Sequence, residues 1–264
     1  INPTKKPRTL GRGDSLIMNY ETIEIENKLI EKINFTDTQK KAIIKKAINL
    51  SLQKVENTIN SWQKRNKLQI LSDFLLGDIA KLCYKNFLEA NNIVVIDYDQ
   101  IRNDKFKNPD KFDLKIKEIE LEIKSSLEKY TIDLSTIVNK RRIIDNKNSC
   151  HEREHDIVCQ VFFVPKILTG LQKSKEYEEN MKSLDYNNEN KIKMCNLILN
   201  EFDIYLLGWV DRKTLNLNKE IFKISNDKTN SKEREYGNFF IKNAFNNSEL
   251  IKILENNNVK KLKF

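Results

Sequence analysis

Residues 113–126 read DLKIKEIELEIKSS, and the phasing of this stretch decides the fold. Leu114 and Ile116 are even-numbered, whereas Ile119, Leu121 and Ile123 are odd. A single β-strand keeps its side chains in one parity, so the switch marks a turn or bulge near Lys117-Glu118. A turn that sets Ile116 opposite Ile119 also sets Leu114 opposite Leu121 and Asp113 opposite Glu122. Both carboxylates then share the face away from the core, with Cβ atoms roughly 5 Å apart. Lys124 follows two residues on, on the same face. Lys-Glu suits a two-residue primed turn poorly, which favours a longer loop. A helical stripe through Ile116, Ile119, Ile123 and Leu127 also exists, but it would leave Leu121 on the polar side.

Two carboxylates held that close repel unless something positive lies between them. Mg2+ does this with one or two carboxylates, waters and a substrate phosphate completing its octahedron. The Lys124 ammonium beside it could position an attacking water and offset charge building on a phosphate. An Asp opening one strand and a Glu-x-Lys on the next, here Asp113 and Glu122-Ile123-Lys124, resembles the PD-(D/E)xK nuclease superfamily, the fold of many type II restriction endonucleases. The resemblance implies that Asp113, Glu122 and the main-chain carbonyl of Ile123 bind Mg2+ while Lys124 serves the nucleophilic water. It also implies cleavage of double-stranded DNA to 5′-phosphate and 3′-hydroxyl ends by a homodimer, since palindromic sites match twofold protein symmetry. Some members add an acidic residue from the preceding helix, a role for Asp78 or Glu89.

The tripeptide by itself carries no weight, because Glu26-Asn27-Lys28 and Glu189-Asn190-Lys191 repeat it in a Glu- and Lys-rich chain. Only the central copy lies on an alternating strand behind a strand-opening Asp. The literal Pro-Asp, Pro109-Asp110, falls in a loop and out of phase with Glu122, which leaves Asp113 as the partner.

Outward from the hairpin, the spacing predicts helices from about Tyr20 to Asn92, with Asn91-Asn92 as the stop, then a strand in NIVVIDYDQI (92–101). Downstream, SSLEKYTIDLSTIVNKRR (125–142) reads as a helix capped by Ser125 or Ser126. HDIVCQVFFV (155–164) and EFDIYLLGWVD (201–211) are apolar enough to be strands buried on both faces, separated by a helical excursion over 166–200. A short strand and a final helix close the chain. The expectation is an α/β fold: a restriction-endonuclease-like mixed β-sheet flanked by helices, with a helical N-terminal region. A basic arm and that helical region would occupy 1–66, and the nuclease core 67–264, with the insertion near 166–200.

The bulk properties agree with a polyanionic partner. The 264 residues carry a net charge of +9 and a pI near 9.1, and each Lys or Arg beside a phosphate releases a counterion. No apolar run is long enough to span a bilayer, and four scattered Cys do not make a disulfide scaffold, so a reducing cytoplasm is expected. Lys140-Arg141-Arg142, His151, Arg153, His155 and Arg234 are candidate DNA contacts, although cations favour a helix C-terminus in any case. Cys150, His151, His155 and Cys159 could be zinc ligands, but their spacing is not that of a standard Cys pair and Cys159 falls inside a core strand. The chain has no Gly-rich phosphate loop, no Ser-His-Asp order and no His-Glu-x-x-His, which argues against ATPase, esterase and zinc-protease chemistry.

Overall fold

Where helix is expected after Tyr20, the chain instead forms a hairpin, β1 (Asn19–Ile25) and β2 (Lys28–Asn34). Glu26 and Asn27 take positive φ values of 49° and 67°, the two-residue turn that matches strand twist. The correction to the helical N-terminal region has a physical cause. Strand β2 is covered on both faces and buries Ile30 and Glu31 in succession, so it shows no two-residue alternation. The computed structural model describes residues 18–57, 66–108, 110–146, 155–166, 168–224 and 232–255.

Helices α1 (Asp37–Asn57) and α2 (Lys67–Ala90) follow as expected. An Asn66/Gln69 capping box starts α2, and Asn91 caps its end, with Asn92 beyond it at φ 61°. The strand expected over 92–101 shrinks to β3 (Ile96–Asp97), because the Asp97 carboxylate accepts the Asp99 amide and starts the short helix α3 (Tyr98–Ile101).

Strands β4 (Leu114–Ile116) and β5 (Ile119–Leu127) pair in the register read from the parity switch: Ile116 faces Ile119 and Leu114 faces Leu121. The connection is the tight Lys117-Glu118 turn rather than a longer loop, with Lys117 at φ 55°. Ser125 and Ser126 lie inside β5 and cap nothing. The helix begins later, as α4 (Leu134–Lys140), where the Asp133 carboxylate accepts the Ser135 and Thr136 amides. Arg142 starts a strand not anticipated, β6 (Arg142–Asn146).

The two buried strands appear as β7 (Ile157–Pro165) and β8 (Phe202–Asp211), separated by α5 (Leu168–Ser183) and α6 (Asn188–Glu201). The chain continues with α7 (Arg212–Leu217), β9 (Lys219–Ile224), β10 (Lys232–Phe240), a 3₁₀ turn and α8 (Asn247–Glu255). A seven-stranded sheet runs β1-β2-β8-β7-β5-β4-β3, and a smaller one runs β6-β10-β9. In the large sheet β5 and β7 are parallel and all other neighbours antiparallel, giving the mixed α/β sheet flanked by helices. Among the described residues no helix is long and apolar enough to cross a membrane.

Each face of that sheet has its own core. On one, Leu114, Ile119, Leu121 and Ile123 pack with Leu75, Ile79 and Cys83 of α2 and with α6 and α8. On the other, Val158, Phe162, Leu207 and Val210 pack against Ile137 and Val138 of α4, Ile143 of β6 and Leu215 of α7. Strand β5 adds nothing apolar to this second core. Its side chains there are Glu120, Glu122, Lys124 and Ser126, beside Val158, Gln160 and Phe162 of β7.

The sheet tolerates one irregularity, between Gln160 and Val161, where β8 carries an extra residue. Gly208 there has φ 114°, and a Cβ would lie 2.4 Å from the Phe245 carbonyl oxygen and 2.9 Å from Lys28 Nζ. Both the backbone angle and the space demand glycine. Gly208→Ala should therefore lower the unfolding free energy by about 3 kcal/mol or more, measured by urea titration; a loss under about 1 kcal/mol would show that the strand relaxes easily.

Candidate active site

The site is built where β4 and β5 meet the entrance of β7. Asp113 immediately precedes β4, its amide donating to the Leu121 carbonyl at 3.1 Å. Its Oδ2 accepts the Ile123 amide at 2.7 Å, although the regular ladder ends at Leu114 opposite Leu121 and does not include Asp113. Ile123 itself points into the core at 5% exposure, leaving only its main chain near the site. Burial first, and then the Glu122 charge, push the Asp113 carboxyl up to about 7, against the pull of Lys81, the Ile123 amide and Lys124.

Lys124 donates to Glu122 Oε1 at 2.8 Å and lies 3.0 Å from Asp145 Oδ1. Burial disfavours its ammonium, but Glu122 and Asp145 outweigh burial and raise its pKa. Asp145, on β6, is 5% exposed and also meets Arg212 Nη1 at 2.6 Å. Despite its burial the two cations hold its carboxyl below the ordinary range. His155 Nε2 lies 3.2 Å from Glu122 Oε2, and burial, the dominant cause, lowers the imidazole pKa. Gln160 donates to the Lys124 carbonyl and to Ser126 Oγ, both at 3.2 Å, and fixes β5 beneath the charged pair.

A second charged cluster lies on the α2 side. Lys81, from α2, pairs with Asp97 at 3.4 Å and with Asp99, and burial of its ammonium is outweighed by Asp113, Asp99, Asp97 and Asp78. Asp78, a candidate extra acid, is committed to this cluster: it accepts from Ser51 at 2.7 Å and Lys54 at 2.5 Å. Glu89 does not join the site. It lies at the end of α2 with a side chain 38% exposed, 3.9 Å from Lys85. Asp110 pairs with Arg102 rather than with Glu122.

The proposed DNA contacts are scattered. Lys140 is exposed at the end of α4, Arg141 is spent on Glu128 through a two-pronged pair at 2.8 and 2.9 Å, and Arg142 donates to Asn238 at 3.1 Å. Arg234 lies on β10 opposite Phe222. Cys150, His151 and Arg153 lie outside the described residues. Cys159 is fully buried in the α2-side core, where burial pushes its thiol pKa up, while His155 faces Glu122 on the other side of the sheet, so these two do not form a zinc pair.

Sequence reasoning missed Asp145 and Arg212. A signal existed for the first: Asp145 has the parity of buried Ile143 in β6, which puts a carboxylate on an inward face. Arg212 follows a strand end and carries no local signature.

The donor set fits a hard divalent cation. The Glu122 charge acts on Asp113 and raises its pKa, and every carboxylate oxygen retains a lone pair beyond its present bond. Among the described residues no group of three His, Cys, Asp or Glu is arranged to hold a metal ion; an ion at these two carboxylates would take its remaining ligands from water. Comparison with protein-family profiles, with curated proteins and with solved structures gave no match.

The raised Asp113 pKa has a measurable sign. Its folded value of about 7 exceeds the unfolded 3.8, so the stability contributed by this group falls as pH rises through that window. A cation between the carboxylates removes the penalty. Thermal unfolding should show Mg2+ raising Tm more at pH 8 than at pH 5, and Asp113→Asn should erase the difference; equal shifts at both pH values would contradict a cation at Asp113.

Proposed function

We propose that the protein is a Mg2+-dependent endonuclease of double-stranded DNA, a sequence-specific enzyme resembling type II restriction endonucleases. The observation that carries this reading is the proximity of three side chains: the Ile123 amide donates to Asp113, the Glu122 charge acts on Asp113, and Lys124 donates to Glu122. The layout supports it: a helix, a short strand, the hairpin, a second helix and a parallel buried strand occur in the order of the PD-(D/E)xK fold. The +9 charge suits a polyphosphate substrate.

Asp113, Glu122 and the Ile123 carbonyl would hold the ion. Bound Mg2+ lowers the pKa of water and neutralises phosphate charge. Lys124, kept cationic by its carboxylate partners, would offset the negative charge that builds on the phosphoryl oxygens. In-line attack by water would leave 5′-phosphate and 3′-hydroxyl ends. A homodimer would present two such sites to a palindrome.

Incubation with long duplex DNA and Mg2+ tests the reading directly: discrete fragments indicate a restriction enzyme, a smear a non-specific or repair nuclease, and uncut DNA a binding protein. Asp113→Ala and Lys124→Ala should each reduce cutting by on the order of a hundredfold or more while duplex binding persists. Undiminished cutting in either variant would sink the assignment.

A further inference from the structure

The charged pair Glu122–Lys124 does not stand alone; it closes a ring. Lys124 Nζ meets Glu122 Oε1 at 2.8 Å, and Glu122 Oε2 meets His155 Nε2 at 3.2 Å. The His155 carbonyl accepts Arg212 Nε at 2.8 Å, Arg212 Nη1 meets Asp145 Oδ2 at 2.6 Å, and Asp145 Oδ1 returns to Lys124 Nζ at 3.0 Å. Five residues from β5, the β7 entrance, α7 and β6 are thus joined without a break. Arg212, Asp145 and His155 are 7%, 5% and 7% exposed.

We infer that Asp145, Arg212 and His155 are positioning residues that hold the Glu122–Lys124 pair in its working geometry. The inference rests on the nuclease reading for its catalytic consequence, but the ring has physical content of its own. A lysine side chain has four torsions and about 2 kcal/mol of rotamer entropy to lose. With Glu122 as its sole partner, the Lys124 ammonium would settle on the carboxylate needed for the cation. Asp145 draws it the other way, so that one donor goes to each carboxylate and a third remains for a phosphate oxygen. His155 holds the second oxygen of Glu122 in the same fashion.

Arg212 is the tie between the two halves. Its position is set by its own amide, which donates to the Asp156 carbonyl at 2.9 Å, and by the Asp211 cap on Thr214 at 2.8 Å. The guanidinium can reach Asp145 and the His155 carbonyl together because its donors are fixed in a planar fork. A lysine ammonium cannot span both.

The test uses the full chain and two conservative variants, Asp145→Asn, which is isosteric, and Arg212→Lys. Trace reductive methylation with mass spectrometry reads how freely each lysine amine reacts, with exposed Lys140 as the internal reference. In the wild type Lys124 should react slowly relative to Lys140; in each variant that folds by circular dichroism it should react several-fold faster, with Lys140 unchanged. Cutting should fall about 10- to 100-fold in kcat with little change in KM, since a misplaced group costs rate rather than binding. His155→Gln, which keeps a side-chain donor for Glu122, should retain more activity than His155→Ala. Unchanged Lys124 labelling in Asp145→Asn overturns the inference, as does faster labelling with undiminished cutting. If labelling responds as expected but the wild type cuts no duplex, the nuclease reading fails while the positioning of Lys124 by the ring is upheld.

Discussion

Glu122 and Lys124 project from a strand with neighbours on both sides, onto a face that β7 and β8 otherwise fill with Val158, Phe162 and Leu207. Charged groups partly withdrawn from water in such a place lose hydration that well-placed partners offset. Those partners come from a separate three-stranded sheet, the entrance of β7 and the first residue of α7, which all converge on one point. Around the circuit two carboxylates are matched by an ammonium and a guanidinium, with an imidazole beside Glu122. Asp113 is the exception. It receives a backbone amide but, among the described residues, no cation within bonding distance, and its carboxyl is correspondingly hard to ionise.

The α2 side solves the same problem at larger scale. Asp78, Asp97 and Asp99 are met by Lys54, Lys81, Lys85 and Arg102, and Lys81 carries this field toward Asp113 from behind. The extra acid anticipated on this helix is therefore present in kind but differently employed. It neutralises lysines of its own cluster, and the group from α2 that faces Asp113 electrostatically is a cation.

Much of this arrangement is legible in the sequence. The parity switch from Ile116 to Ile119 gives the β4–β5 turn and register because side-chain alternation is a rigid property of strands, and β7 and β8 announce themselves by unbroken apolar runs. What stays hidden depends on contacts between distant segments. The β1–β2 hairpin is masked because a strand with both faces covered loses its alternation, and Glu26-Asn27, the actual turn, looks like a stray copy of the motif. His155 stands out as one of only two histidines, yet nothing in the sequence around it foretells that its neighbour in space is Glu122. Asp145 on β6 of the small sheet and Arg212 at the start of α7 are far apart in sequence, a pairing no local pattern encodes.

The lone parallel pairing in the large sheet bears on how the protein comes to be assembled. Strands β4 and β5 are joined by two residues and make a local hairpin, the kind of contact that forms in microseconds. The ladder between β5 and β7 cannot form until α4 and β6 have crossed between them, and Arg212 arrives only after β8 has been laid down beyond α5 and α6. The motif carboxylates thus belong to a local hairpin, whereas the charges that complete the circuit come from segments much further along the chain.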